Sequence, residues 1–205
     1  MHRRCRRVGR RSRRDAGALR DENTPVTETT RTFDIVVATD LNRGIGRNGT
    51  LPWRLPGDLK RFRELTTSVQ SPAHQNAVIM GRKTWESLPA KFRPLPGRIN
   101  VVLTKQHGYQ LPADVLNAES LDDALTALRV FPIENCFVIG GGQIYADAVK
   151  HPACKLIQLT QLQSEFDCDT FFPEYANDFI ELSRSELHHE NEIQYCFLVL
   201  ERKCG

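Results

Sequence analysis

Val78-Ile79-Met80-Gly81-Arg82-Lys83-Thr84-Trp85 decides the fold: a short apolar run passes through one glycine directly into a helical segment. An apolar run without alternation, four to eight residues long, reads as a strand buried on both faces. The pattern recurs where Cys136-Phe137-Val138-Ile139 enters Gly140-Gly141-Gly142 and a helix over Gln143–Lys150, which His151-Pro152 stops. Working outward, Phe33–Thr39, Asn76–Met80, Arg98–Thr104 and Lys155–Thr160 are further apolar strands, and Asp114–Asn117 is a weaker one. A helix runs from Pro56, at a permitted first-turn position, to about Val69, where Ser71-Pro72 breaks it. Pro89 ends the helix that closes at Leu88, and Ser120 caps one over Leu121–Val130. Asp178–Ser183 and Gln194–Glu201 close the chain as strands without helices, the latter alternating like a hairpin partner. Repeated strand–helix units ending in adjacent strands predict a single α/β domain. Its sheet is mixed and mostly parallel, of about eight strands with an antiparallel C-terminal edge and about four flanking helices.

The chain has 205 residues, 40% hydrophobic and 26% charged, enough for one domain with a real core and short for two. No run approaches the length of a membrane span. The net charge of +3 is unevenly placed: residues 1–31 carry ten Arg against four acids, which leaves −3 on residues 32–205. The basic character therefore belongs to a tail, expected to be disordered, and the domain begins at about Thr32. A solvated arm is the preferred reading of that tail. An organelle transit peptide would need an amphipathic stripe that is missing, and an arm for non-specific nucleic-acid contact is the third reading. Cys5, Cys136, Cys154, Cys168, Cys196 and Cys204 form no CxxC pair, so reduced thiols in a cytoplasmic protein are expected, with no metal site.

The two glycine junctions expose backbone N–H groups at helix starts, which suits phosphate. Neither fits the G-x-G-x-x-G dinucleotide fingerprint, and no Ser nucleophile elbow is present. Arg82, Lys83, Thr104 and Lys105 lie at strand ends that could sit side by side and hold an extra phosphate; each alone reads as surface charge. A third feature is Gly44-Ile45-Gly46-Arg47-Asn48-Gly49-Thr50-Leu51-Pro52-Trp53, a glycine-punctuated loop that leads into the first helix. There Leu55, Leu59 and Phe62 share one face, and Asp58 points along nearly the same face. A carboxylate on an apolar face is costly to bury unless paired. Arg98, after the rigid Arg93-Pro94-Leu95-Pro96-Gly97, is either a bidentate carboxylate clamp or a strand-end charge. Trp53 is either core or the wall of a pocket for a flat ring.

Six ordered segments resemble dihydrofolate reductase: Gly44-Ile45-Gly46-x-Asn48-Gly49-x-Leu51-Pro52-Trp53, Asp58-x3-Phe62, Val78 to Trp85, Arg93-Pro94-Leu95-x-Gly97-Arg98, Gly140-Gly141-Gly142-x-Ile144-Tyr145 and Asp169-Thr170-Phe171-Phe172-Pro173. The resemblance covers roughly residues 32–203 and is similar to bacterial or plant-type members and to the reductase half of fused reductase–thymidylate synthase chains. It implies NADPH-dependent reduction of dihydrofolate to tetrahydrofolate by a monomer. Asp58 would grip the pterin, with Trp53, Thr160 and Leu51 completing the catalytic set. Val36, Val37, Phe62, Leu88, Leu95, Ile139 and Tyr145 would line the substrate, and Arg98 would hold its glutamate carboxylate. Ala38, Ile45, Gly46 and Gly49 would meet the nicotinamide side of the cofactor. Gly81, Arg82, Lys83, Thr84, Leu103, Thr104, Lys105, Gly140, Gly141, Gly142, Gln143 and Ile144 would meet the rest.

These roles agree with the chemistry. Hydride transfer depends on stacking two rings in near-attack contact, and a partly buried Asp58 with a raised pKa could help protonate the pterin N5 through water. The loop over residues 40–55 could close over the site. Two other readings share the fold or the tail: a pyrimidine reductase-type relative, which needs neither Asp58 nor Arg98 in this context, and a non-catalytic folate- or RNA-binding protein working through its basic arm.

Overall fold

The computed structural model describes residues 31–204. The Arg-rich segment falls on residues 1–30 and, apart from Arg31, lies outside the described residues. In chain order the elements are β1 (Phe33–Thr39), β2 (Gly44–Gly46), α1 (Pro56–Thr67), β3 (Gln75–Gly81), α2 (Arg82–Ser87), β4 (Arg98–Leu103), β5 (Val115–Ala118) and α3 (Leu121–Ala127). They continue with β6 (Ile133–Val138), α4 (Gly142–Lys150), β7 (Cys154–Leu162), β8 (Thr170–Phe171), β9 (Phe179–Arg184), β10 (His188–Glu190) and β11 (Ile193–Arg202).

Nine strands form one open sheet, in the order β10-β11-β7-β1-β6-β3-β4-β5, with β9 also pairing β11. The pairs from β7 through β5 are parallel, and β11 runs antiparallel to β7, β9 and β10. This is the mixed α/β sheet expected from the strand–helix alternation. The fully buried stretches Ala77–Met80 and Val101–Val102 explain why their sequence carries no period of two: helices cover both faces. One layer joins Val36, Val78, Met80, Trp85, Val102 and Phe137 to Phe62 and Leu65 of α1. The opposite layer joins Ile35, Val37, Ile79 and Val138 to α3 and α4. Ser120 caps α3 by accepting the Asp123 N–H, and Asp122 and Asp123 sit favourably in its first turn.

Two details depart from the sequence reading. Helix α1 ends at Thr67 rather than near Val69, and Leu59 is 55% exposed. The inward stripe runs through Asp58, Phe62 and Leu65, at i, i+4 and i+7, while Leu55 lies before the helix as its N-cap residue. The second departure is a small two-stranded sheet, β2 with β8, and the short β10, which the sequence pattern did not carry. Among the described residues no helix is long and apolar enough to cross a membrane.

Candidate active site

Helix α1 begins at the C-terminal end of the sheet, where ligands of open α/β folds bind. Pro56 opens it, and Leu55 offers no side-chain cap. The cap comes from a distant element: the Glu190 carboxylate accepts the Gly57 N–H at 2.8 Å. Gly57 is glycine for a reason of space, since a Cβ there would lie 2.6 Å from the Tyr195 hydroxyl oxygen. Asn191 adds a second tie, donating to the Arg54 carbonyl at 3.0 Å. The hairpin of β10 and β11 thus fixes the turn that carries Asp58.

Asp58 is half-buried, and its Oδ1 accepts the Thr160 hydroxyl at 2.7 Å. Burial pushes the carboxyl above its ordinary range; the Thr160 bond and the Arg61 cation pull the other way, and Glu190 adds a smaller upward push. A carboxyl raised in this way holds its proton to higher pH than a free one.

The apolar residues named from the sequence largely meet. Val36 and Leu95 are buried in one cluster, with Phe62, Leu88 and Ile139 packed against it. The buried Arg98 guanidinium lies 5.8 Å from the Phe62 ring centroid, and its Nη1 donates to Thr66 Oγ1 at 2.7 Å. Tyr145 donates its hydroxyl to the Val36 carbonyl at 2.7 Å. Trp53 is buried with Leu55, Leu162 and Tyr195 beside Ala38, and its indole Nε1 finds no hydrogen-bond partner among the described residues. Val37 turns its side chain into the opposite core layer, and Leu51 is 51% exposed at the loop.

The two glycine junctions abut, with the Gly81 N–H donating to the Gly140 carbonyl at 2.7 Å. The surface between them has no room for side chains: a Cβ at Gly141 would lie 3.1 Å from Thr84 Oγ1, and one at Gly142 only 2.8 Å from Thr170 Cγ2. Gly140 has φ of 126°, which disfavours any side chain. Ile144 and Ile45 border this cradle, while the exposed Gln143 bonds Asp147. Of the cationic group, Arg82 is committed to Glu86, with Nη1 at 2.8 and 2.9 Å from its two carboxylate oxygens. Lys83 and Lys105 are exposed, and Thr104 is buried, its hydroxyl accepting the Gln106 N–H. The β2 loop is tethered rather than loose: Asp40 accepts the Gly44 and Phe166 N–H groups, and the Asp169 N–H donates to Gly46.

Sequence reasoning passed over Glu190, Tyr195 and Thr66. Nothing local marks Glu190, which acts across 133 residues of chain. Arg61 was within reach, because i, i+3 from Asp58 makes the two helical neighbours.

A half-buried acid in the first turn of a helix, at the carboxyl ends of parallel strands, marks the candidate site of an open α/β protein. A family model described as dihydrofolate reductase matches residues 32–202. The chain is 50% identical to a bifunctional dihydrofolate reductase-thymidylate synthase of Zea mays over 70% of its own length and 29% of the relative's. The corresponding Arabidopsis thaliana protein is 43% identical over 87% of this chain and 36% of its own. A dihydrofolate reductase of Aedes albopictus is 38% identical over 83% of this chain and 97% of its own length. The chain therefore spans about a third of the length of the bifunctional relatives, and nearly all of the monofunctional one is matched. The chain belongs to the dihydrofolate reductase family.

Proposed function

We propose that the chain catalyses NADPH-dependent reduction of dihydrofolate to tetrahydrofolate. The observation that carries this reading is Asp58: a carboxyl raised by burial and held by Thr160, on the α1 face that also carries Phe62, whose ring centroid lies 5.8 Å from the Arg98 guanidinium. Two ionic anchors joined by an apolar wall suit a molecule with a polar heterocycle at one end and a carboxylate at the other. The buried Trp53 Nε1, which has no partner among the described residues, is a donor left over beside the loop that leads to Asp58.

The glycine cradle suits a dinucleotide, because two strand-to-helix turns without side chains abut there and let a phosphate approach the main chain. Lys83 and Lys105 would hold an extra phosphate, with Arg82 less available because of Glu86. Bound there, NADPH supplies the hydride. Asp58 orients the pterin through its carboxyl oxygens and holds the proton destined for N5, delivered through water. Val36, Phe62 and Ile139 exclude bulk water and fix the ring plane. The direct test follows NADPH absorbance on addition of dihydrofolate. Consumption that depends on dihydrofolate is expected; a chain that binds both but oxidises no NADPH overturns the reading.

A further inference from the structure

Arg61 lies one helical turn beyond Asp58 and turns beneath α1 instead of toward solvent. Its Nη2 donates to Gln158 Oε1 at 3.3 Å, and its guanidinium carbon sits 4.3 Å from the Phe197 ring centroid. Both anchors bracket the Asp58 partner. Gln158 and Thr160 are two residues apart on β7 and so share a face, and Phe197 pairs with Thr160 across the β7–β11 ladder. A long, rotamer-rich cation is thereby held in one place by a hydrogen bond and a ring face. Burial disfavours its charge, and the Asp58 carboxylate is what favours it.

On the other side of Asp58 stands an anion. Glu190, from β10, accepts the Gly57 N–H one residue before Asp58, and the Tyr195 hydroxyl lies 3.4 Å from the same carboxylate oxygen. The groups that act on Asp58 are therefore Arg61 from its own helix, Thr160 from β7 and Glu190 from β10, while the Asp58 charge in turn reaches the Tyr195 and Tyr145 hydroxyls of β11 and α4. Of these only Arg61 and Glu190 carry full charges, and they are of opposite sign.

We propose that Arg61 is a positioning residue of the Asp58 site, locked by Gln158 and the Phe197 ring so that its cation opposes the Glu190 carboxylate, and that this charge pair sets the pH range over which the site works. The inference rests on the dihydrofolate reductase reading for its kinetic consequence, but not for its electrostatics. A reaction that needs a proton loses rate as pH rises through the value of the group supplying it. Removing the Arg61 cation makes Asp58 hold its proton to higher pH, so the falling limb moves up. Removing the Glu190 anion moves it down.

The experiment uses the full chain with Arg61→Met, Arg61→Lys, Glu190→Gln and the Arg61→Met/Glu190→Gln double variant. Two readouts are taken: the pH profile of kcat for NADPH oxidation with dihydrofolate, and the NMR titration of isotope-labelled aspartate carboxyls in the ligand-free protein, with Asp58→Asn identifying the resonance. Arg61→Met is expected to raise the Asp58 midpoint by about 0.5–1 pH unit and Glu190→Gln to lower it by less. Arg61→Lys stays near the parent, the double variant partly cancels, and the kcat limb follows each shift. An Asp58 midpoint that does not move in Arg61→Met, or that moves the same way in both single variants, overturns the proposal. A parent protein that fails to oxidise NADPH would refute the reductase reading alone, because the carboxyl titration still judges the charge pair.

Discussion

Asp34, near the start of β1, and Asp58, in the first turn of α1, direct their carboxylates at the same strip of β7, Asp34 toward Gln158 and Asp58 toward Thr160. Burial is the largest influence on both and raises both. Their settings differ. Asp34 is held at the N-terminal end of its strand by the Leu156 N–H, Lys155 and Gln158, all parts of the sheet itself. Asp58 stands at the carboxyl ends of the strands, beside a glycine cradle, between a cation and an anion on separate elements. A raised carboxyl is thus no mark of a working acid by itself; its end of the sheet decides.

The comparison breaks most readily at Asp58. Asp58→Asn keeps the shape and one acceptor for Thr160 but cannot give up a proton. Turnover near neutral pH is expected to fall by about 10²-fold or more while NADPH binding, followed by fluorescence, persists. Full activity of that variant would make Asp58 as structural as Asp34.

Arg98 sharpens the contrast, because it opens β4 in register with Asn76, at the same end of the sheet as Asp34, yet its guanidinium lies beside the Phe62 ring of α1. Arg98→Met should raise KM for dihydrofolate by roughly 30-fold with kcat little changed, the size of a lost charge-assisted contact. A pterin lacking the glutamate should be indifferent to the change; equal losses for both substrates would make Arg98 a packing residue.

Asp34 itself is predicted to affect stability and not rate. Its carboxyl is raised from 3.8 to about 6. The folded value exceeds the unfolded one, so its contribution is fully present below about 3.8 and is lost as pH rises through about 6. Above that range the charged group costs about 2 kcal/mol after allowing for partial screening. Asp34→Asn should therefore raise Tm by about 4–8 °C at pH 7.5 and by little at pH 4, with kcat unchanged. A Tm gain equal at both pH values would assign the effect to packing.

The sequence carried the strand–helix alternation, the glycine junctions and Asp58 because each is a local pattern: an apolar run without period, a glycine where a side chain collides, an acid on an apolar face. The order of strands around β1 and the support of the site were not local. Glu190 caps α1 from a hairpin far along the chain, and Leu59 turned outward because the inward stripe begins at Asp58. Arg82 looked free for phosphate in sequence, although Glu86, four residues on, was a visible helical partner.

The smallest expected effect calibrates the others. Ser120 caps α3 against the opposite face of the sheet from Asp34 and Asp58, its hydroxyl accepting the Asp123 N–H at 3.1 Å and donating to the Asp123 carboxylate at 2.7 Å. Ser120→Ala removes one helix-terminal partner from an exposed site and should cost about 1 kcal/mol, read as a lower urea midpoint with an unchanged slope. The loss should be the same in the presence and absence of Asp34→Asn, since the two sites share no partner. It should also leave the pH profile of turnover where it was. Coupling between Ser120 and Asp34, or a shifted profile, would mean that stability on one face of the sheet is transmitted to the acid on the other, and the separation drawn between the two carboxylates would fail with it.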